Sequence, residues 1–218
     1  MRIRTIVIVV VLLLVVGEGA SRVLIQSDLT ARVKAADPTA IGVQTSVSFP
    51  LLPRLVLGQT IDSVKVTART VALGVITADS VTVTANSVHL RLGSLVGSRV
   101  HVSRVEHLTI VATITDVEAS SVLRPGLSFT FGVGTVTLHN PVTSVTGRFA
   151  LQSPGTLSFM VVGSGVPGLS ASLTFSKAPF ATCTPAITLT PGHLTLSCTL
   201  ANPPPGVLSL AGQAPRAP

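Results

Sequence analysis

His101, Glu106 and His107 are the residues whose types and spacing come nearest to a metal-binding set, because zinc takes imidazole nitrogens and carboxylate oxygens as ligands. The chain around them alternates as a strand does. In a strand His101 and His107 share one face while Glu106 points to the other, and six extended residues hold the two imidazoles roughly 20 Å apart. One ion cannot bridge that distance, so the three read as polar positions on a wet sheet face, and neither a metal nor another cofactor is expected. Gly163-Ser164-Gly165-Val166-Pro167-Gly168 matches the bare G-x-G-x-x-G pattern. A dinucleotide loop of that form must open a helix and be followed by an acid about twenty residues later. Here Pro167 leads into the alternating stretch Leu169 to Phe175, and no acid lies downstream. The glycines therefore read as a β-turn.

The acids bear on catalysis more widely. All eight carboxylates (Glu18, Asp28, Asp37, Asp62, Asp79, Glu106, Asp116 and Glu118) lie at or before position 118. Paired-carboxylate catalysis or a carboxylate metal site would have to be assembled from that part alone. No G-x-S-x-G elbow supports a serine hydrolase, and the chain is not expected to be an enzyme. The formal charge of +7 would suit a phosphate backbone if it were clustered. Arg54, Lys65, Arg69, Arg91, Arg99 and Arg104 stand singly instead, and there is no Trp or Tyr on which bases could stack. Nucleic acid is not an expected partner. A mildly basic surface suits an anionic membrane, or serves solubility alone.

Most of the chain reads as β-strand. Val64, Val66 and Ala68 are separated by Lys65 and Thr67, and the alternation returns in Val81, Val83, Val88, Leu90, Leu92, Leu108, Ile110 and Ile114. A period of two gives a sheet one apolar face. Strands are expected over 41–48, 61–68, 71–76, 79–85, 87–93, 100–114, 127–138, 147–152, 156–162, 169–175, and 186–200 about a turn. The apolar phase slips between Ala68 and Val71 and between Ala85 and Val88. A slip turns the apolar set to the wrong face unless a local correction absorbs it. Arg69-Thr70 and Asn86-Ser87 are where those corrections are expected, and they predict a strongly curved sheet. Only one stretch, with Ile25, Leu29, Val33 and Ala36 recurring every three or four residues, reads as an amphipathic helix; it ends near Asp37-Pro38. With 46% apolar and 11% charged residues and one helix to cover the sheet, a bound apolar ligand becomes a candidate.

Arg2 and Arg4 precede the apolar run Ile6 to Val16, which Gly17-Glu18-Gly19-Ala20-Ser21 follows, the layout of an export signal. The run is shorter than the ~20 apolar residues of a spanning helix. Cleavage after Ala20 would put Glu18 where a small residue belongs, so a signal anchor stands beside a cleaved peptide. Cys183 and Cys198, an even count in an exported chain, are expected to form a disulfide. They flank the turn Pro191-Gly192 and would staple a hairpin. The tail from Asn202 holds five prolines and reads as unstructured. The expected organisation is a signal peptide or signal anchor over 1–20, a single domain over 21–201, and a Pro-rich disordered tail over 202–218.

Ser48-Phe49-Pro50-Leu51-Leu52-Pro53-Arg54-Leu55-Val56-Leu57-Gly58 gathers apolar side chains about two prolines, which break regular structure. One reading is a core plug at the end of the sheet, which the residues alone favour. The other is an apolar lip at the mouth of a lipid groove, with Arg54 near a head-group phosphate.

In this order of parts the chain resembles the actinobacterial LmeA-type phospholipid-binding family. A basic then apolar N-terminus and a short amphipathic helix are followed by a motif like Gly-Phe-Pro-Phe-Leu, standing here as Ser48-Phe49-Pro50-Leu51-Leu52. A Leu-rich stretch ending in Gly matches Leu55 to Gly58, and an acid-containing strand start matches Asp62-Ser63-Val64-Lys65-Val66. Ser48 and Leu51 depart from the motif. The resemblance implies an α+β, β-dominated half-pipe: a long, strongly curved antiparallel sheet with one N-terminal amphipathic helix packed against it. A closed β-sandwich is the alternative.

It also implies an exported phospholipid-binding protein of the periplasm or cell envelope, at the outer face of the cytoplasmic membrane. Such a protein would sequester or shuttle lipid for envelope lipid or lipoglycan assembly, with an envelope glycosyltransferase or lipid-handling protein as partner. The lipid-contact candidates are Phe49, Leu51, Leu52, Leu55 and Val56 at the mouth, with Val64, Val66, Val81, Val83, Val88, Leu90 and Leu92 along the groove. Arg54, Lys65 and Arg69 are head-group candidates. The competing expectation is a structural or adhesive envelope β-protein without a ligand cavity.

Overall fold

Val and Ala alternating with Ser, Thr and Lys favour extended chain, because β-branched side chains pack well on a pleated surface. In the computed structural model they form a β-dominated molecule in which 68% of the described residues lie in strands. The structure describes residues 23, 26–27, 30–31, 33–35, 38, 40–48, 60–90, 102–153, 156–161, 171–174 and 183–203, with the backbone alone at 90, 102, 103 and 153. The expected signal segment over 1–20 and most of the Pro-rich tail lie outside them.

Six strands make the larger sheet: β1 (Ile41–Val47), β2 (Ile61–Leu73), β3 (Ile76–Leu90), β4 (Val102–Thr115), β10 (Ala186–Thr190) and β11 (His193–Ala201). Their order is β1-β2-β3-β4-β11-β10, every pairing is antiparallel, and the sheet is strongly curled into a half-barrel. The second sheet, also antiparallel, runs in chain order through β5 (Ser128–Phe131), β6 (Val136–His139), β7 (Ser144–Ser153), β8 (Thr156–Val161) and β9 (Ser172–Thr174). The two sheets meet at one corner. There Gly134 N donates to Leu189 O at 3.2 Å, Gly192 N to Phe131 O at 3.0 Å, and Asp116 N to Gly192 O at 3.2 Å.

Cross-strand rows follow from the register. Thr45, Val66, Val83, Ile110 and Cys198 form one row of the larger sheet, and Val47, Val64, Ala85, Leu108 and Leu200 the next. Both lie on the inner face. The alternate row of Ser46, Lys65, Thr84, Thr109 and Thr199 faces outward. Ile110, Ala112, Ile114, Leu194 and Leu196 are buried at the middle of the inner face, in a core cluster shared with the second sheet. That sheet contributes the aromatic part: Phe129 lies against Phe131, Phe149 and Phe159 with ring centroids 5.4 to 6.2 Å apart. Among the described residues the larger sheet contributes aliphatic side chains and Cys198 to the cluster, and no aromatic ring.

The two phase slips are absorbed where the pattern requires. Thr70 and Ser87 have positive φ, 54° and 53°. Each turns its strand enough that Val71 still packs on the core three residues after Ala68, and Val88 is still buried three after Ala85. The register of β2 on β3 is unchanged from Ile61↔Val88 to Leu73↔Ile76, so conformation corrects the phase without an inserted residue. The segments expected as 61–68, 71–76, 79–85 and 87–93 are accordingly two continuous strands. The turn falls instead at Gly74-Val75, with Gly74 at φ 82°. The stretch 127–138, expected as one strand, is β5 and β6 about a turn in which Gly132 N donates to Thr135 O at 2.9 Å.

The helix expectation also needs correction. Helical residues do occur at 23, 26–27, 30–31 and 33–35, but the helix with both ends defined is short and internal. It is α1 (Asp116–Ser121), opened by a capping box. Glu118 N donates to Thr115 Oγ1 at 3.2 Å and Thr115 N donates to Glu118 Oε2 at 2.8 Å, which satisfies two donors a helix start leaves open. Two of the eight carboxylates, Asp116 and Glu118, thus sit in the first turn of a helix, where the macrodipole favours them.

The expected disulfide is present: Cys183 is bonded to Cys198, with Cα atoms 6.2 Å apart. Two outcomes follow. Thr70→Gly removes a β-branched side chain from left-handed backbone and is expected to raise the urea midpoint, stabilising by up to about 1 kcal/mol once glycine's extra unfolded-state freedom is subtracted; an unchanged or lower midpoint would contradict the strain. Closing a loop with sequence separation 15 constrains the unfolded chain by about 3 kcal/mol, so reductant should lower the midpoint by the shift that corresponds to about 3 kcal/mol of unfolding free energy.

Candidate functional site

An edge strand exposes unpaired backbone groups that a protein covers, charges or pairs. β1 is one edge of the larger sheet, and the helical residues between 23 and 35 lie against it. Gln26 Nε2 donates to Thr45 O at 2.8 Å, and Thr30 Oγ1 lies 3.4 Å from Thr45 Oγ1. Thr45 begins the inner row that continues through Val66 and Val83. These contacts therefore stand at the mouth of the apolar face.

Two open cavities lie along this seam. The first, about 570 Å³, is lined by Thr30, Lys34, Pro38, Ala40, Ile41, Gly42 and Val43. The second, about 510 Å³, is lined by Val23, Gln26, Ser27, Thr30, Ala31 and Lys34. Both are shallow and open to solvent rather than enclosed. They share Thr30 and Lys34, so they are two lobes of one groove. Val23 and Ile41 on its walls are 64% and 62% exposed, which leaves apolar surface in water.

Burial along one row of the inner face falls toward β1, although Val47, the β1 residue of the next row, is 6% exposed and part of the core. Ile110 and Cys198 are 1% and 2% exposed, whereas Val83, Val66 and Thr45 in the same row are half-buried. Of the expected lipid-contact residues, Val81 and Val88 belong to the buried core at 9% and 3% exposure, with Val64 and Val83 packed against it. Val66 is half-buried, and Leu90 ends β3. Phe49, Leu51, Leu52, Arg54, Leu55, Val56 and Leu92 lie outside the described residues.

Of the cations, Lys65 is exposed on the outer row, on the face opposite Val64 and Val66. Arg69 is exposed, pairs with Ile41 and lies on the same outward face as Lys65; it is not among the described residues that line either cavity. Lys34, Thr30, Ile41 and Val43 were not singled out by the sequence pattern. Lys34 reads there as one polar residue on a helix, and Ile41 and Val43 as ordinary strand positions. No family model, curated protein or solved structure matches this chain.

The residues that first resembled a metal set take another form. His101 lies outside the described residues, and His107 is exposed. Glu106 meets His89, with Nε2 and Oε1 3.5 Å apart. Beside it Arg104 Nη2 donates to Asn202 Oδ1 at 3.0 Å, and Asn202 N donates to Glu106 O at 2.6 Å. Ser87 and Asn202, two of the three non-glycine residues at positive φ among the described residues, both adjoin Glu106. The cluster therefore pins the line across which β3 and β4 change phase.

The His89 hydrogen bond, the largest effect, holds the Glu106 carboxyl below its ordinary value of 4.5 against desolvation, the next largest, with lesser help from the Ser87 hydrogen bond and the charges of Arg104 and His89. A carboxyl whose folded pKa is depressed contributes stability above its unfolded pKa and loses it as pH falls through the folded one. Stability is thus expected to decline as pH drops from about 4.5. Glu106→Gln should flatten that part of a melting-temperature profile and leave the profile above pH 6 parallel to wild type. An identical acid limb in both proteins would remove Glu106 from the account.

Proposed function

We propose that this chain is an exported, non-enzymatic phospholipid-binding protein of the cell envelope that sequesters or shuttles lipid at the outer face of the cytoplasmic membrane. The observation that carries the reading is the two-lobed groove beside β1, with exposed Val23 and Ile41 on its walls. Each methylene moved from water onto such surface gains about 0.8 kcal/mol. The Cys183–Cys198 disulfide is compatible with an exported, oxidising compartment. Among the described residues no helix is long and apolar enough to cross a membrane, and the run Ile6 to Val16, read as signal or anchor, lies outside them.

Kinship to the LmeA-type family, with its half-pipe of curved sheet and N-terminal helix, belongs to the same proposal. It is supported by the curled antiparallel sheet and by the contact of Gln26 and Thr30 with β1. The lip residues Phe49, Leu51, Leu52, Leu55 and Val56, with Arg54, would extend the groove, and an envelope glycosyltransferase or lipid-handling protein would receive its lipid.

A second reading, a structural envelope protein without a ligand, is favoured by the completeness of the core at Ala112, Leu194 and Leu196, each 0% exposed. Lipid retention separates the two. The full chain, incubated with phospholipid vesicles and recovered free of them, is expected to carry phospholipid detected by mass spectrometry of the extract. Ala31→Trp puts an indole into the second lobe. If it excludes two methylenes of an acyl chain it costs about 1.6 kcal/mol, a loss of about fifteenfold in affinity. A wild-type protein that retains no lipid sinks the proposal and leaves the structural reading.

A further inference from the structure

Three of the exposed apolar side chains stand at one end of the strands. Val75 tips the β2–β3 hairpin, Val117 lies in the first turn of α1, directly after β4 ends at Thr115, and Val133 tips the β5–β6 turn; they are 69 to 79% exposed. Hydrogen bonds gather the second and third about the β10–β11 turn: Asp116 N donates to Gly192 O, Gly192 N to Phe131 O, and Gly134 N to Leu189 O. That turn adds exposed Pro191. Ile41, on the wall of the first lobe, is at the level of Arg69, Ser80, Thr113 and Thr195. This level is two residues from the Thr115↔His193 pair, so the groove reaches the same end.

Turn chemistry does not demand valine at these tips. Gly74 and Gly134, at φ 82° and 65°, take the backbone bends, and β-branched residues are not among those that favour turns. The backbone beneath the tips is satisfied within the protein. Gly132 N donates to Thr135 O at 2.9 Å, Val117 N to Asp116 Oδ1 at 2.9 Å, and Thr115 N to Glu118 Oε2 at 2.8 Å. The two α1 carboxylates are thus engaged by their own helix start. None of the residues 74–75, 116–121, 132–135 and 191–192 is Lys or Arg. Separate apolar tips are not the continuous apolar core that a protein interface presents. They suit the interfacial layer of a bilayer, where unpaired backbone groups are costly and apolar side chains are favoured.

We propose that this end of the molecule docks on a lipid bilayer, with Val75, Val117 and Val133 entering the interfacial layer and the Ile41 end of the groove brought to the lipid surface. The proposal rests on the lipid-binding reading for its role, and adds to it the side from which lipid enters. Insertion, not charge, holds the contact. A zwitterionic bilayer therefore suffices, and screening by salt leaves the contact in place.

The chain has no Trp or Tyr, so a single introduced indole reports its own surroundings. Val75→Trp, Val117→Trp and Val133→Trp are made in the full chain and mixed with phosphatidylcholine vesicles. Emission from each is expected to move to the blue and to stay there in about 0.5 M salt. Val142→Trp, in the β6–β7 turn at the other end of β6 and 93% exposed, should not shift. In Val75→Ser/Val117→Ser/Val133→Ser, uptake of lipid from the vesicles is expected to slow about tenfold, the order of a few methylenes withdrawn from the bilayer. Circular dichroism melts that match wild type show each variant folded. Shifts no greater than that of Val142→Trp, or shifts abolished by salt, overturn the docking end; if lipid is still retained after vesicle removal, the lipid-binding reading stands. Shifts with no lipid retained support the docking end and overturn the reading that the groove carries lipid. Neither shift nor retention overturns both. A blue shift that needs no vesicles and grows with protein concentration makes the partner a second copy of the chain and overturns the bilayer assignment.

Discussion

The pairing of β4 with β11 is the constraint on which the rest of the molecule depends. It runs unbroken from His193↔Thr115 to Ala201↔His107, and everything between those strands must be closed as a loop to form it. That loop holds α1, the whole second sheet and β10. Loop-closure entropy grows only slowly with length, so a long inserted segment is affordable once the strands match. The match is good on both faces: Ile114, Ala112 and Ile110 oppose Leu194, Leu196 and Cys198 inward, while Thr109 and Thr199 oppose each other outward. Cys183 is bonded to Cys198, so the bridge ties the chain before β10 to the strand that makes this closure.

The curl of the larger sheet has a local cause. Among the described residues three outside glycine take positive φ, and two of them, Ser87 and Asn202, adjoin Glu106 on β4. Left-handed backbone within a strand increases its twist and re-aims the side chains beyond it. The consequence is a sheet whose apolar set remains inward on both sides of each fault although the spacing is odd. Bending also changes coverage. The second sheet adds Phe129, Phe149 and Phe159 to the shared core, while at β1 Thr45 stays half-buried and Val47 is buried.

Much of this was legible in the sequence, and what was not has identifiable reasons. Alternation located nearly every strand, and its two failures located Thr70 and Ser87 without any structural knowledge. The disulfide followed from count and context. Turn positions were harder: Gly74-Val75 sits inside an alternating run, so the hairpin leaves no break in hydrophobicity, and only Gly74 marks it. The run 127–138 hides a turn for the same reason, with Gly132 and Gly134 as its trace. α1 was missed although Thr115-Asp116-Val117-Glu118 carries a capping box, because six residues hold too few turns to show a helical period. The groove was illegible in principle. It arises from the meeting of Ile41 and Gly42 with Thr30 and Lys34, and no periodicity encodes which strand edge a helix will meet.

The location of the groove follows from how the core is divided. Rigid aromatic rings contact one another in the second sheet, where Gly147 approaches so closely that a Cβ would stand 2.6 Å from the Phe159 ring. Such packing leaves no volume for a ligand, since interiors are as dense as organic crystals. Among the described residues the larger sheet has no aromatic residue in the core cluster, and burial decreases along the row from Ile110 through Val83 and Val66 to Thr45, although Val47 of β1 is buried. At β1 the neighbouring strand is replaced by helical residues that meet Thr45 through Gln26 and Thr30, polar side chains longer than the backbone bonds of a ladder. That substitution sets the helix off from the strand. The space opened adjoins the half-buried Thr45 end of one inner row, where an apolar chain would gain contact without displacing core side chains.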